Sequence, residues 1–206
     1  VELDLHEGTN LISFYALPED NSIANVLSPL NYMSEIRIIG ESSSAMYNGS
    51  VWMGALTTIM YESGYWLIIE ESATLPLTGI PIQSNQLYSL HTGNNLISYP
   101  FPECGAIEEV LPQDVQDCLG GIISEGTSAI YIEPIGWLGA LQYLCPHVGY
   151  WFVYECDDIV FTYIEPTSFA RRQVLNPSPY PYNQSSQQAF YFFENIDNIK
   201  EGDFVL

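Results

Sequence analysis

Two glutamates, three histidines, four cysteines and four tryptophans are the residues of this 206-residue chain whose types could do chemistry. Glu41 and Glu125 occupy matching places, each after a run of β-branched residues and before a Gly/Ser/Thr-rich turn. A pair of carboxylates could hydrolyse a glycosidic bond by acid/base work, provided both face one cleft. The plainer expectation is a turn glutamate that accepts backbone N–H bonds from the small residues following it. His6 and His91 also match, each two residues before a glycine. Neither has a second His or Cys at metal-ligand spacing, so a structural hydrogen bond at a strand end is expected of both. His147 stands where the other half of the chain has Glu62.

Cys104, Cys118, Cys145 and Cys156 allow three pairings. The expectation for a secreted chain is Cys104–Cys118 across a helix and Cys145–Cys156 near a hairpin. Cys145-Pro146-His147 is a weak hint of a metal site, and no C-x-x-C accompanies it. Asp157-Asp158 and Glu70-Glu71 could lend oxygens to a non-specific calcium ion, but no EF-hand loop is present. No cofactor is expected. Trp52, Trp66, Trp137 and Trp151, with Tyr65 and Tyr150, could stack on sugar rings or serve as packing anchors. Adjacent strand residues point to opposite faces, so one of Tyr65 and Trp66 must be core and the other outside.

The elements that position these residues come in two copies. Leu5-His6-Glu7-Gly8-Thr9-Asn10-Leu11-Ile12-Ser13 recurs as Leu90-His91-Thr92-Gly93-Asn94-Asn95-Leu96-Ile97-Ser98. Trp52-Met53-Gly54-Ala55-Leu56 recurs as Trp137-Leu138-Gly139-Ala140-Leu141, and Gly64-Tyr65-Trp66 as Gly149-Tyr150-Trp151. Ordered blocks held in register mean duplication. Each copy reads as strands around one short helix. Ile23, Val26 and Leu27 have helical spacing behind the caps Asp20-Asn21-Ser22. In the second copy the helix begins near Ala106, and Pro112 ends or restarts it. The fold class is α+β, mainly β: two tandem β-rich units packed with approximate two-fold symmetry. The divisions are 1–86, 87–166 and a third stretch, 167–206, read as a Pro-rich linker and the start of a further β segment. A chain opening at Val1 inside a strand pattern and stopping at Leu206 inside another reads as a piece of something longer.

Gly-x-Asn-Leu-Ile-Ser followed some fifty residues on by Gly-Tyr-Trp resembles the tandem repeats of secreted bacterial and marine phage multidomain surface proteins. Asn183-Gln184-Ser185-Ser186-Gln187-Gln188-Ala189-Phe190 resembles the start of a module that follows such repeats. The resemblance implies an extracellular, cell-surface or virion-surface architecture and brings no catalytic residues with it. Where that family has Trp before Asn-Leu-Ile-Ser, this sequence has Thr9 and Asn94.

Composition limits the partners. Four Lys+Arg against 25 Asp+Glu give a net charge of −21, which excludes binding nucleic acid through phosphate neutralisation. No apolar run is long enough for membrane insertion as a helix. Residues 1–86 hold ten acids and residues 87–166 eleven, yet only Glu19/Glu103, Glu41/Glu125 and Glu70/Glu155 coincide. Acidity kept in amount but not in place reads as surface solvation. Together these features predict a non-catalytic structural or adhesive module whose partners are other protein modules or subunits, with glycans as a further candidate. A carbohydrate-binding module using the Trp/Tyr faces is the alternative, and a glycan hydrolase using Glu41/Glu125 a weaker one.

Overall fold

The computed structural model describes residues 2–167. The expected linker and further β segment of 167–206, and the Asn183 stretch, fall outside the described residues apart from Thr167. The fold is mainly β. In the first copy the strands are β1 (Glu2–Leu5), β2 (Gly8–Ser13) and β3 (Ala16–Leu17). After α1 (Ile23–Val26) and a single 3-10 turn come β4 (Ile36–Ile39), β5 (Ser44–Tyr47) and β6 (Trp52–Gly54). Then follow β7 (Gly64–Ile69), β8 (Ala73–Pro76) and β9 (Ile80–Pro81). The second copy opens with β10 (Tyr88–Leu90), β11 (Gly93–Ile97) and β12 (Gly105–Ala106). Helices α2 (Ile107–Val110) and α3 (Gln113–Gln116) come next, then β13 (Leu119–Ser124) and β14 (Thr127–Ile132). β15 (Gly136–Gly139), β16 (Tyr143–Leu144), β17 (Tyr150–Tyr154) and β18 (Ile159–Phe161) complete it.

The two copies share one plan. One five-stranded sheet has the order β2-β7-β4-β5-β6 and the other β11-β17-β13-β14-β15. The antiparallel pairs β1–β8 and β10–β18 also correspond. Each sheet covers its own core with alternate residues. In the first, Ile36, Ile38, Tyr65, Leu67 and Ile69 are buried beneath α1, whose Ile23 and Val26 reach down to them. In the second, Tyr150, Phe152, Tyr154, Leu119 and Ile122 are buried with Ile107, Val110 and Val115 of the helices. Ser22 caps α1 with its hydroxyl, while Pro112 breaks the second copy's helix and α3 restarts behind it.

The disulfides are Cys104–Cys145 and Cys118–Cys156, which corrects the pairing expected from the sequence. The ladders decide it. β12 pairs with β16 through Gly105↔Leu144, so Cys104 lies beside Cys145. Leu119 pairs with Tyr154, and the Glu155 N–H donates to the Cys118 carbonyl, so Cys118 lies beside Cys156. Nearness in the chain, which favoured 104 with 118, has no bearing once the strands cross over.

The two sheets meet edge to edge. The free edge of β2 bridges to the residues leading into β17 at Ile12↔Val148, and β11 bridges to those leading into β7 at Ser63↔Ile97. The Ser13 N–H donates to the His147 carbonyl and the Gly149 N–H to the Leu11 carbonyl, both at 3.1 Å. Residues paired across an antiparallel ladder share a face. Leu11 therefore shares a face with Trp66 in its own sheet and with the Gly149 position, two residues before Trp151, across the seam. Trp66 and Trp151 accordingly lie on one side of the joined sheets.

Candidate functional site

The repeated residues converge on that seam. An edge strand leaves N–H groups without ladder partners. On β2 the next such group beyond the bridge is Leu11, and its N–H donates to Glu125 Oε2 at 2.9 Å. On β11 the Leu96 N–H donates to Glu41 Oε2 at 2.7 Å. Each glutamate thus caps the edge of the other copy. The expectation that it caps its own turn is corrected: the turn at 40–43 closes on backbone alone, Gly40 N–H to the Ser43 carbonyl.

The second oxygen of each carboxylate takes a histidine. His6 Nε2 lies 2.5 Å from Glu125 Oε1, and His91 Nε2 lies 2.9 Å from Glu41 Oε1. Each imidazole is oriented by its other nitrogen, which sits 2.7 Å from the Glu7 carbonyl in one copy and 2.9 Å from that of Thr92 in the other. The histidine's place on the chain is fixed in turn by the buried asparagine four residues on. Asn10 Oδ1 accepts the His6 N–H, and its Nδ2 donates back to the His6 carbonyl at 2.8 Å. Asn95 does the same for His91.

The rest of the repeated signature serves the same join. Ser13 donates its hydroxyl to the Val148 carbonyl, and Ser98 to the Tyr61 carbonyl. Gly64 and Gly149 give close passage: a Cβ on Gly149 would lie 2.8 Å from the Ile12 carbonyl oxygen and 3.0 Å from Leu11 Cδ1. Tyr65 and Tyr150, both inside the core, accept the Met60 and Cys145 N–H groups and hold the segments that feed the seam.

Protonation favours the clasp. Hydrogen bonding to the Glu7 carbonyl and then to Glu125 raises the His6 pKa, and bonding to Glu41 and then to the Thr92 carbonyl raises that of His91. A histidine whose folded pKa exceeds its unfolded value of about 6.5 contributes stability fully below that value. The contribution is lost as pH rises through the folded pKa. His147 runs the other way, because burial lowers its pKa and it costs stability as pH falls below about 6.5. The His6→Gln/His91→Gln double variant should therefore lose more stability relative to the native chain at pH 5.5 than at pH 8.5. Urea unfolding at the two values measures this, and an equal loss at both would refute the linkage.

The tryptophans divide by face. Trp52 and Trp137 pack inward against Tyr47 and Tyr131, with ring centroids 5.5 and 5.4 Å apart. Trp137 Nε1 donates to Gln116 of α3, whereas the Trp52 Nε1 is buried without a partner. Trp66 and Trp151 are half-buried on the outer face, while Tyr65 and Tyr150 are 2% and 1% exposed and out of a sugar's reach. Beside Glu41 a cleft of about 380 Å³ is lined by Ser42, Ser43, Thr57, Thr58 and Ser63. Among the described residues no three His, Cys, Asp or Glu side chains gather as a metal site. Glu70 instead accepts from Ser34, and Asp158 from the Thr92 N–H.

The convergence of Glu125 with His6 and of Glu41 with His91 could not be read from the sequence. The signal was present as four duplicated positions, but what pairs them is the crossing from one copy to the other. No protein-family model, curated protein or solved structure matches the chain. Among the described residues no helix is long and apolar enough to cross a membrane, and the two disulfides are compatible with an oxidising, extracellular setting.

Proposed function

We propose that this chain is a non-catalytic structural module of a larger extracellular, appendage or virion-surface protein, in which two copies of one unit are locked into a rigid spacer. The reciprocal clasp carries the reading. The duplicated polar residues that could have done chemistry have their hydrogen-bonding atoms committed to holding one copy against the other. A duplicated catalytic or binding residue would gain nothing from facing its sister's backbone. The disulfides and the resemblance of the Gly-x-Asn-Leu-Ile-Ser and Gly-Tyr-Trp blocks to secreted surface repeats support the location.

The test replaces Glu41 and Glu125 with alanine. Each change strips a charged acceptor from a partly buried backbone N–H, which costs about 1.5–3 kcal/mol. A double-mutant cycle of Glu125→Ala with His6→Ala should show a coupling of about 0.5–1 kcal/mol, since that pair is half-exposed. Chemical denaturation of the four chains reads both figures. The opposite result would be hydrolysis of a polysaccharide by the native chain that Glu41→Gln or Glu125→Gln abolishes with stability intact. That outcome would replace the structural reading with the hydrolase.

A further inference from the structure

We infer that Asn48 is a site of self-modification: the Gly49 backbone nitrogen closes on its carboxamide to a succinimide, ammonia leaves, and water opens the ring to a carboxylate. The reaction needs only water and hydroxide as co-reactants, and it is independent of the clasp.

Asn48-Gly49 is the one Asn-Gly step in the chain. It lies in the turn between β5 and β6, where Asn48, Gly49 and Ser50 are all exposed to water. Asn48 Oδ1 accepts the Ser50 N–H at 3.1 Å and the Val51 N–H at 3.0 Å. The carboxamide is therefore folded back over its own turn, and the Gly49 nitrogen is the backbone atom it passes to reach those donors. Among the described residues nothing accepts the Gly49 N–H or the Asn48 Nδ2 hydrogens, so neither attacking nor leaving nitrogen is tied down. Gly49 has φ +83° and no Cβ to crowd the attack.

Hydroxide takes the Gly49 amide proton, and the nitrogen bonds to Asn48 Cγ. The carbonyl π pair moves onto Oδ1, where the Ser50 and Val51 N–H groups already stand to meet the developing oxyanion. Collapse breaks the Cγ–Nδ2 bond, and Nδ2 takes a proton from water and departs as ammonia. Water then adds to either ring carbonyl. Opening at Cγ leaves aspartate, whose charged oxygens still accept from Ser50 and Val51. Opening at the Asn48 main-chain carbonyl leaves isoaspartate, with one more carbon in the backbone of the turn that the Asn48 N–H closes on the Val51 carbonyl. Other asparagines are held. Asn21 Nδ2 donates to the Ile59 carbonyl at 2.8 Å, and the Ser22 N–H that follows it donates to Asp20 Oδ1. Asn95 is locked to His91, and the Leu96 N–H after it is taken by Glu41. The second copy has Glu133-Pro134-Ile135 in the matching turn, so the change falls on the first copy alone.

Incubation of the disulfide-bonded chain in mildly alkaline buffer tests the site, once folded and once unfolded in guanidinium. Peptide mass mapping follows exchange of the Asn48 amide nitrogen for oxygen, and a parallel assay measures released ammonia. We expect the folded chain to convert Asn48 at least as fast as the unfolded one, because the turn holds the two oxyanion donors in place. In the folded chain Asn21 should convert at least about tenfold more slowly than Asn48, since it reacts only after local opening. Aspartate and isoaspartate should both appear at position 48. Slower conversion of Asn48 in the folded chain than in guanidinium overturns the proposal, because the turn would then be protecting the amide. Conversion of Asn21 as fast as Asn48 in the folded chain overturns it likewise. Neither failure touches the clasp, which the Glu41 and Glu125 variants test separately.

Discussion

Gly139→Ala should cost about 3–5 kcal/mol, enough to leave a module of this size largely unfolded at moderate temperature, and Gly54→Ala should behave the same way. Both glycines end the repeated Trp-x-Gly block with φ near +140°, a region that L side chains rarely adopt. Space is a second obstacle. A Cβ at position 139 would sit 2.3 Å from the Ser128 carbonyl oxygen and 2.8 Å from the Ala129 Cα. At position 54 it would sit 2.3 Å from the Ser44 oxygen. Those neighbours are backbone atoms of the adjacent strand and cannot swing aside. The Leu141 N–H also donates to the Ser128 carbonyl, so pushing that strand away breaks the turn that returns the chain to the seam. Equilibrium unfolding in guanidinium measures the loss. A change below about 1 kcal/mol, the cost of an ordinary surface substitution, would mean that the strands separate more freely than the packing implies.

Removing Cys118–Cys156 by the double change to alanine should cost about 2–4 kcal/mol, and removing Cys104–Cys145 about as much. The bridges close 38 and 41 residues of chain, so each withdraws a large set of conformations from the unfolded state. Their distribution makes the expectation specific. Among the described residues all four cysteines lie in the second copy, so a reducing agent should act on residues 104–156 directly and on the first copy only through the clasp. Hydrogen exchange with and without reductant should show opening that begins at β12 and β13 and reaches β2 through Glu125. Protection lost first in β4 and β7 would contradict this order. Peptide mapping under non-reducing conditions should recover Cys104 joined to Cys145, and recovery joined to Cys118 would refute the ladder argument.

Much of the fold was legible because it depends on local patterns. The run of β-branched residues before Glu41 marked β4, helical spacing behind Asp20-Asn21-Ser22 marked α1, and Pro112 marked the break between α2 and α3. The duplication showed that the two copies share one plan of strands and one set of matched residues. The opposite orientation of Tyr65 and Trp66 follows from strand geometry alone. The site was legible only in part. Glu41, Glu125, His6 and His91 stood out by their repetition, but their partners lie 50 and 119 residues away along the chain. No spacing rule connects them.

By itself, then, the sequence determined two equal units, the outline of their strands and helices, and a set of matched polar residues. Only the tertiary structure decided what those residues hold. Hydrogen-bonding partners across a ladder, and cysteines brought together by it, depend on strand register and on which edge meets which. Those choices are settled when the cores form and the free edges of β2 and β11 must find acceptors. The glutamate on the neighbouring copy is the acceptor within reach, and the histidine stands beside it because the buried asparagine holds it there.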